Sequence, residues 1–373
     1  MLVYDLIVIG GGPAGTSAAI CAARSGASVL LLERGQFPRH KVCGEFVSAE
    51  SLGLLAELLD RDHVALLPDA VRIPRARIFL DGRIVRTSVD PPAASVARLD
   101  LDAALWRSAQ SAGVDARQQI TVQSIHDSND DASGRFRVVT AAGEFKTRAV
   151  VNASGRWSNL SLAPIQSGAL PQKKWLGLKA HYAESLPEPS VDLYFFEGGY
   201  CGVQPVMLAD QGSRRGRVNA SAMVRADVAS TLPDVFAQNP TLLERSRNWT
   251  QLSEPVSTSP LIFRDPQPVR QGVFMVGDAA GFIDPFVGDG ISLALRSGAL
   301  AAKCLAAFLA GQTSLPYAAN RYGELYAQSL MPVFRASSKI RQMLKLPRTV
   351  RRPLLLLLQT APAITRYAVK KTR

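Results

Sequence analysis

The chain has 373 residues, of which 47% are hydrophobic and 20% are charged, and its formal net charge is +12. This length suits one elaborate domain or two interleaved ones, and the composition excludes a disordered or fibrous protein. We expect no nucleic-acid partner despite the positive charge, because no aromatic-interleaved basic motif or known nucleic-acid module accompanies it.

The cysteines and the N-terminus indicate the cellular compartment. Cys21, Cys43, Cys201 and Cys304 lie far apart without a CxxC pair, which predicts neither a disulfide framework nor a zinc or iron–sulfur site. The opening run MLVYDLIVIGGG lacks the basic region and cleavage site of a signal peptide and leads straight into a glycine motif. No stretch approaches the roughly 20 apolar residues of a membrane span, so we expect a cytoplasmic protein.

Residues 4–34 have the pattern of a strand, a turn, a helix and a second strand. YDLIVIG is a continuous apolar and β-branched run, as expected of a buried parallel strand. A helix of small residues follows from Ala14 to about Ser25, and Gly26 stands where a C-cap glycine belongs. SVLLLE is the second strand, so the unit predicts the start of a doubly wound α/β sheet.

Three glycines and one acid in this unit predict dinucleotide binding. Gly10, Gly12 and Gly15 form G-x-G-x-x-G, which permits a tight turn and lets the backbone approach a pyrophosphate at the helix N-terminus. Glu33 ends the second strand about 18 residues after Gly15, near the offset at which an acid binds the ribose hydroxyls. The fingerprint by itself does not choose between FAD and NAD.

The stretch HKVCGEFVSAE, residues 40–50, sets reactive side chains directly after this unit. Cys43 and Glu45 flank one glycine, and either can handle a proton beside a cofactor. The alternative interpretation makes Cys43 a small buried hydrophobe, and Glu45 a charge that favours the N-terminus of the helix after Ser48. Lys41 is either a phosphate contact or a solvated cation.

Two later strands carry further candidates. The alternation in GLKAHYAES places Lys179 and His181 on one face of a strand, towards either a cavity or solvent. Tyr200, in GGYCGVQP, either lines a substrate site or packs in the core with a satisfied hydroxyl.

A second glycine-rich passage, GVFMVGDAAGFIDPFVGDGISLALRSG at residues 272–298, singles out a flavin. A hydrophobic strand, VFMVG, runs into Asp278, and a glycine-rich turn leads to a helix that begins near Gly290. An aspartate at that strand end can bind a ribityl hydroxyl. The N-terminus of the following helix can stabilise negative charge near the flavin pyrimidine.

Together the two passages resemble the FAD-dependent superfamily of aromatic-ring hydroxylases, flavin halogenases and geranylgeranyl-type reductases, over roughly residues 1–310. The resemblance implies an α/β fold of the p-hydroxybenzoate hydroxylase type, in which a doubly wound, Rossmann-type FAD-binding domain carries an inserted β-sheet substrate domain and C-terminal helices. It implies that the first passage binds the ADP part of FAD, and the second the ribityl and pyrophosphate part. The residues expected to bind FAD are Gly10, Gly12, Pro13, Ala14, Gly15, Glu33, Arg34, Lys41, Arg98, Gly277, Asp278, Pro285, Gly288, Gly290 and Ile291.

Residues 37–45 and Gly281 point to different branches of this superfamily. Residues 41–44 match a K-x-C-G of the geranylgeranyl-type reductases, whereas FPR at 37–39 and GE at 44–45 are similar to halogenases. Gly281 stands where aromatic-ring hydroxylases usually have a histidine, as it does in the reductases. The tryptophan-rich W-x-W-x-I-P motif of halogenases is absent from the sequence.

GGYCGVQP also resembles a reductase strand that lines the substrate cavity. Gly202 and Gln204 replace two aromatic residues of that strand, which predicts a wider or reshaped pocket whose substrate need not be a prenyl chain. These matches favour the geranylgeranyl reductase-like branch.

The passage AVVNASGRWSNL, residues 149–160, bears on the electron donor. Hydroxylases usually have an Asp-Gly pair here, followed by a serine and an arginine, which helps to bind both FAD and NADPH. This chain has Ser154 and Gly155, keeps Ser158 and lacks that arginine. We therefore expect either a transient encounter with NAD(P)H or a partner reductase that supplies electrons.

The resemblance implies an FAD-dependent oxidoreductase that acts on a lipophilic small molecule of prenyl, polyketide or aromatic lipid type. Hydride transfer through flavin N5 is the favoured reaction, with Cys43, Glu45 and Tyr200 as candidate catalytic residues. The alternative is a flavin-dependent monooxygenase that hydroxylates a lipophilic aromatic or polyketide-like substrate in a dry pocket. Halogenation and a non-catalytic binding role are the remaining interpretations.

The domain boundaries follow from these assignments. We place the FAD-binding domain at residues 1–75, 98–165 and 268–312, the substrate domain at 76–97 and 166–267, and a C-terminal helical segment that closes over the substrate side at 313–373. From residue 339 onward, that segment combines the leucine run Leu354–Leu358 with ten cations. It is either a peripheral contact with an anionic membrane or a packed helix with a solvated basic face. The cations are Lys339, Arg341, Lys345, Arg348, Arg351, Arg352, Arg366, Lys370, Lys371 and Arg373.

Overall fold

A computed structural model describes residues 3–127, 134–156, 160, 174–206, 216–344, 346–351 and 353 of the protein. Ser158, the leucine run Leu354–Leu358 and most of the terminal cations lie outside these residues (Lys345, Arg352, Arg366, Lys370, Lys371 and Arg373).

The described chain folds into two β-sheets with helices packed around them. The helices are α1 (Pro13–Arg24), α2 (Leu52–Leu58), α3 (Arg98–Ser111), α4 (Leu232–Ala237), α5 (Pro240–Ser246), α6 (Gly290–Leu309), α7 (Leu315–Ser329) and α8 (Met331–Leu344). The strands are β1 (Val3–Ile9), β2 (Val29–Leu32), β3 (Phe46–Val47), β4 (Val71–Leu80), β5 (Arg83–Ser95), β6 (Asp115–Arg117), β7 (Val122–Asp127), β8 (Phe136–Thr140), β9 (Gly143–Asn152), β10 (Trp175–Ala183), β11 (Ser190–Phe196), β12 (Gly199–Pro205), β13 (Arg217–Arg225), β14 (Thr250–Gln251), β15 (Val256–Thr258), β16 (Val269–Arg270) and β17 (Val273–Met275).

The first sheet has the strand order β16-β17-β9-β1-β2-β6, and β7 and β8 extend it from β9 as antiparallel neighbours. β1 lies at its centre and pairs in parallel with both β2 and β9. Leu6, Ile7 and Val8 of β1 are fully buried, as a continuous apolar run in a central parallel strand must be. Helix α1 packs on β1 and β2 and between α3 and α6. Its N-terminus therefore lies at the carboxyl edge of the central strands, where doubly wound sheets bind ligands.

The second sheet is mainly antiparallel, with the order β14-β10-β13-β12-β11-β4-β5-β3 and β15 paired to β10. Its strands come from both sides of α3 in the chain, so this sheet interrupts the first one. Because it includes β3 and the start of β4 at Val71, it begins earlier in the chain than the predicted insertion at residue 76.

Helix α6 differs from the expectation that no stretch is long and apolar enough for a membrane span. Within the described residues it is the one helix that reaches the required length and mean hydropathy, with a value of 1.4. The protein itself buries 56% of that apolar window, where α6 packs against α1 and α7. We therefore assign α6 to the core.

The C-terminal helices lie beside both sheets. Tyr322 of α7 is fully buried and donates a hydrogen bond to the carbonyl of Met275 at 2.9 Å. Beyond α8, Arg351 makes two hydrogen bonds of 2.7 Å to Asp81, at the turn between β4 and β5. These contacts fix α7 on the first sheet and the end of the described chain on the second.

Candidate active site

One cavity lies between the two sheets and receives residues from both. The first sheet and its helices contribute the turn at residues 12–14, Arg98 at the start of α3, and residues 276–294. The second sheet contributes Gly177 and Tyr200 with residues 221–223, and the loop 41–46 connects the two sides. The cavity is thus built where the sequence predicted a cofactor and a substrate to meet.

The glycine turn before α1 has the shape that a pyrophosphate requires. Gly10 has φ of 105°, and an added Cβ there would lie 2.4 Å from the carbonyl oxygen of Ala153. A Cβ on Gly15 would lie 1.8 Å from the carbonyl oxygen of Gly10. Gly12 by contrast borders the cavity and caps α1 without a side-chain hydrogen bond, so the first N–H groups of the helix are available to an anion. These features fit the phosphates of FAD.

Glu33 lies behind this turn rather than in the cavity wall. It is 4% exposed and accepts hydrogen bonds of 2.8 Å from the N–H groups of Gly11 and Gly35. Burial alone would raise the pKa of this carboxyl, but the charge of Arg39 and the two N–H groups outweigh burial and lower it. Glu33 thereby fixes the turn, and its contact with a ribose stays a prediction. The neighbouring Arg34 is exposed and lies outside the cavity.

Two cations face the cavity next to the glycine turn. Arg98 is held by Asp102 through two hydrogen bonds of 2.7 Å. Burial, followed by the charges of Arg98 and Arg39, lowers the pKa of the Lys41 ammonium to about 8. A bound polyanion would reverse that effect because it would neutralise the local positive charge. Lys41 and Arg98 therefore fit the predicted phosphate contacts.

The second predicted passage forms the facing wall. Gly277, Asp278, Pro285, Gly288, Gly290 and Ile291 all border the cavity. Helix α6 begins at Gly290, so its positive end points towards the same space. Together with the turn at Gly12, these residues form what we call the cofactor half of the cavity. When bound there, FAD would supply the redox chemistry of the site.

Glu45 is the centre of a buried charged cluster that the sequence did not reveal. Its carboxylate accepts hydrogen bonds from Lys179 at 2.8 Å, from His181 at 2.7 Å and from the backbone N–H of Arg98 at 3.0 Å. Glu45, Lys179 and His181 are fully buried, and the predicted common face of Lys179 and His181 points inward, onto this carboxylate. His40 lies 3.5 Å from the Lys179 ammonium.

This cluster keeps the Glu45 carboxyl ionised at neutral pH. Burial alone would raise its pKa, but the Lys179 ammonium and the His181 hydrogen bond outweigh burial and lower it to about 2. Glu45 also has φ of 62°, a left-handed backbone that a non-glycine residue adopts only when its surroundings hold it there. The carboxylate joins the loop 41–45, the start of α3 and β10, and an ionised group of this kind has no proton to donate at neutral pH.

Cys43 and Tyr200 are the predicted catalytic residues that border the cavity with a proton to donate. Burial raises the pKa of the Cys43 thiol above 9.0. Burial, followed by the negative charge of Asp284, raises the pKa of Tyr200 well above 10.0. Tyr200 lies 5.4 Å from Phe195 and 6.0 Å from Phe286, ring centre to ring centre. Both groups are therefore protonated at neutral pH.

Apolar side chains form the other end of the cavity. Tyr200, Met223, Leu261 and Phe282 border this end, which we call the aromatic half. Gly202 and Gln204 do not border the cavity, although their sequence context predicted a reshaped pocket. A Cβ on Gly202 would lie 3.4 Å from Leu193, and Gln204 donates a 2.6 Å hydrogen bond to Ser95.

Arg156 borders the cavity between the two halves, and no sequence motif had singled it out. Its guanidinium carbon lies 4.3 Å from the centre of the Phe282 ring, and its Nε lies 3.7 Å from an oxygen of Asp278. The signal was present in the sequence, since an arginine directly follows the Ser154-Gly155 pair, but the family pattern called for an arginine further along. Arg156 and Phe282 are far apart in the sequence, so the sequence did not indicate their contact.

Comparisons with known proteins identify an FAD-binding family. A family model described as FAD binding domain matches residues 3–316. The chain is 26% identical over 377 residues to the flavin-dependent halogenase armH1 of Armillaria mellea, covering 90% of this chain and 72% of that protein. It is 25% identical over 362 residues to digeranylgeranylglycerophospholipid reductase 2 of Methanopyrus kandleri, covering 90% and 85%.

A solved structure with the same architecture is that of a geranylgeranyl bacteriochlorophyll reductase-like protein from Thermoplasma acidophilum. It matches with a TM-score of 0.78 and 21% identity, covering 99% of this chain and 95% of that one. At this identity the likeness speaks for the fold. The relatives in sequence include both a halogenase and a reductase, so their names leave the reaction open.

Proposed function

The chain belongs to the FAD binding domain family, and from that premise we propose that it reduces a lipophilic small molecule by hydride transfer. The membership confirms the superfamily, the α/β fold class and the FAD cofactor expected from the sequence, and the chain is a flavin-dependent oxidoreductase. The substrate class and the direction of the reaction are the proposal. It extends to the electron donor, which is NAD(P)H or a partner reductase.

The observation that carries the proposal is the continuity of the cavity. The cofactor half at Gly12 and Asp278 opens directly into the aromatic half at Tyr200 and Met223. A substrate in the aromatic half would therefore touch the cofactor without crossing water, which suits a lipophilic molecule. The loop 41–45, with its reductase-like K-x-C-G, forms part of the wall of this continuous cavity.

The protein's own residues would complete the reduction by supplying a proton. Hydride addition to a carbon of a double bond leaves the adjacent atom in need of a proton. Tyr200 and Cys43 border the cavity in their protonated forms, so either can donate it. Glu45, ionised and bound by Lys179 and His181, holds the loop that carries Cys43. We assign Tyr200 as the donor because it lies in the aromatic half.

An anaerobic experiment tests this proposal. The purified FAD-loaded protein is reduced with dithionite and then mixed with geranylgeraniol or menaquinone-4 in the absence of oxygen. We expect the flavin absorbance to return in step with hydrogenation of the probe. If both probes leave the flavin reduced and only oxygen reoxidises it, the reductase proposal is wrong.

The second candidate is a monooxygenase, which the apolar side chains of the aromatic half also suit. Phe263 stacks on Phe282 with ring centres 5.2 Å apart, and this pair adds apolar surface at one end of the cavity. Oxygen-dependent hydroxylation of an aromatic probe such as 2-naphthol would favour this candidate.

We also propose that the C-terminus contacts a membrane surface that supplies the substrate. Three apolar side chains near the end of the described chain are exposed, namely Met343, Leu346 and Val350, and Arg348 among them is 67% exposed in its side chain. Exposed apolar groups flanked by cations bind anionic lipid surfaces. The leucine run that follows at 354–358 in the sequence extends the same pattern.

A further inference from the structure

Two arginines and two phenylalanines are stacked at the border of the aromatic half. Arg156 lies on Phe282 at 4.3 Å, Phe282 stacks on Phe263 at 5.2 Å, and Arg341 of α8 lies on Phe263 at 4.2 Å. Stacking on a ring fixes the plane of a guanidinium and leaves the N–H groups at its edge free to bind. Arg156 is the member of the stack with a guanidinium in the cavity wall.

Arg98 and Glu45 also border the cavity, and both have closer charged partners than Arg156 has. Arg98 is bound by Asp102 at 2.7 Å, and Glu45 is bound by Lys179 and His181. The acid facing Arg156 is Asp278, and the two side chains approach no closer than 3.7 Å.

Asp278 also has another expected role, as the residue that binds the ribityl chain of FAD. Burial lowers the pKa of Arg156, although Asp278 acts in the opposite direction. The surroundings therefore only partly compensate a half-buried positive charge, and an anion that entered the cavity would complete the compensation.

Lys41 does not compete for this role. It lies at the cofactor half with Arg98 and Arg39, where the phosphates are expected. Arg156 instead stands where the cofactor half meets the aromatic half, within reach of a molecule that lies against Tyr200 and Phe282.

We propose that Arg156 binds an acidic group of the substrate, so that the substrate is a lipophilic anion, either a carboxylic acid or a phosphate ester. This inference rests on the proposed function, because it takes the aromatic half to be the substrate site. A planar guanidinium pairs with either group through two parallel N–H donors, and such pairs are stronger than neutral hydrogen bonds. The stack on Phe282 aims those donors into the cavity.

The test measures binding to the oxidised, FAD-loaded protein and requires no turnover. Decanoate, decyl phosphate and decan-1-ol are titrated while the change in flavin absorbance is recorded. A charge-assisted contact should make either anion bind about tenfold or more tightly than the alcohol. Arg156→Met should abolish this preference and leave the affinity for decan-1-ol unchanged, and Arg156→Lys should keep part of it.

Arg247→Met is the matched control, since it removes one positive charge from a side chain that is 70% exposed. It should keep the full preference for the anions. Equal affinities for anion and alcohol in the unmodified protein would overturn the inference, as would a preference that survives in Arg156→Met.

Loss of FAD from Arg156→Met, together with an unchanged anion preference in Arg156→Lys, would assign Arg156 to the cofactor instead. If the protein shows no preference for the anions, the anaerobic test of the reductase proposal still stands. A failed reduction of geranylgeranyl phosphate with an intact anion preference would reject the reaction and keep the binding site.

Discussion

The cluster around Glu45 predicts that Lys179→Met destabilises the protein strongly. The substitution removes the ammonium that lies 2.8 Å from a fully buried carboxylate and leaves only His181 and the N–H of Arg98 to hold it. Breaking a buried ion pair by removing one partner typically costs about 3–5 kcal/mol. The pKa points in the same direction, because surroundings that lower it from 4.5 to about 2 stabilise the ionised carboxylate in the folded state at neutral pH.

The sign of the pH dependence follows from the direction of that shift. The Glu45 carboxyl is ionised in both the folded and the unfolded chain above about pH 4.5, so its stabilising effect is complete there. As the pH falls towards 2 the unfolded chain takes up the proton first, and the stabilisation is lost. The difference between the unmodified protein and Lys179→Met should therefore be largest near neutral pH and shrink below about pH 4.5.

Urea unfolding of the FAD-saturated protein, followed by circular dichroism, measures this effect. Lys174→Met is the matched control, because Lys174 is exposed just before the same strand and should change the free energy of unfolding little. The double variant Glu45→Gln/Lys179→Met should lose less free energy of unfolding than the two single variants lose together, because neither a carboxylate nor an ammonium is then left unpaired in the cluster. A Lys179→Met variant as stable as Lys174→Met would refute this account of the cluster.

Three further predictions concern the cofactor, the proton and the membrane. Gly15→Ala should lose FAD on gel filtration because its Cβ would lie 1.8 Å from the Gly10 carbonyl oxygen, whereas Gly53→Ala, with open space around it, should keep the flavin absorbance. Tyr200→Phe should slow anaerobic flavin reoxidation by geranylgeraniol about a hundredfold or more without loss of FAD, and the exposed Tyr317→Phe should not; equal rates in all three proteins would exclude Tyr200 as the donor. The protein should co-sediment with phosphatidylglycerol vesicles, less so at high salt, and Val350→Asp should weaken this while Leu243→Asp, at an exposed site outside the C-terminal segment, should not. Equal sedimentation with phosphatidylcholine vesicles would contradict the membrane proposal.

Sequence reasoning reached the cofactor half because its constraints are local. The φ of Gly10, the close approach at Gly15 and the buried run of β1 are all properties of neighbouring residues, so a short motif encodes them. The alternation of residues around Lys179 and His181 likewise predicted a strand, and this strand forms as β10.

The contacts across the cavity could not be read in this way. Glu45 lies 134 residues from Lys179, and nothing in either stretch indicates that they meet. Glu45 was therefore a candidate acid in the sequence, whereas its surroundings hold it as an anion. The stack of Phe263 and Phe282, with an arginine on each ring, also joins distant segments. The role of Arg156 could therefore be inferred only from the folded structure.

The most direct test of hydride transfer to a lipophilic substrate is the mass of the product. The reduced, FAD-loaded protein is incubated with geranylgeraniol or menaquinone-4 in parallel samples, with and without oxygen. Hydride transfer to carbon predicts a product in which a carbon–carbon double bond of the probe gains two hydrogen atoms in the sample without oxygen. A product that forms only with oxygen and gains an oxygen atom would contradict it.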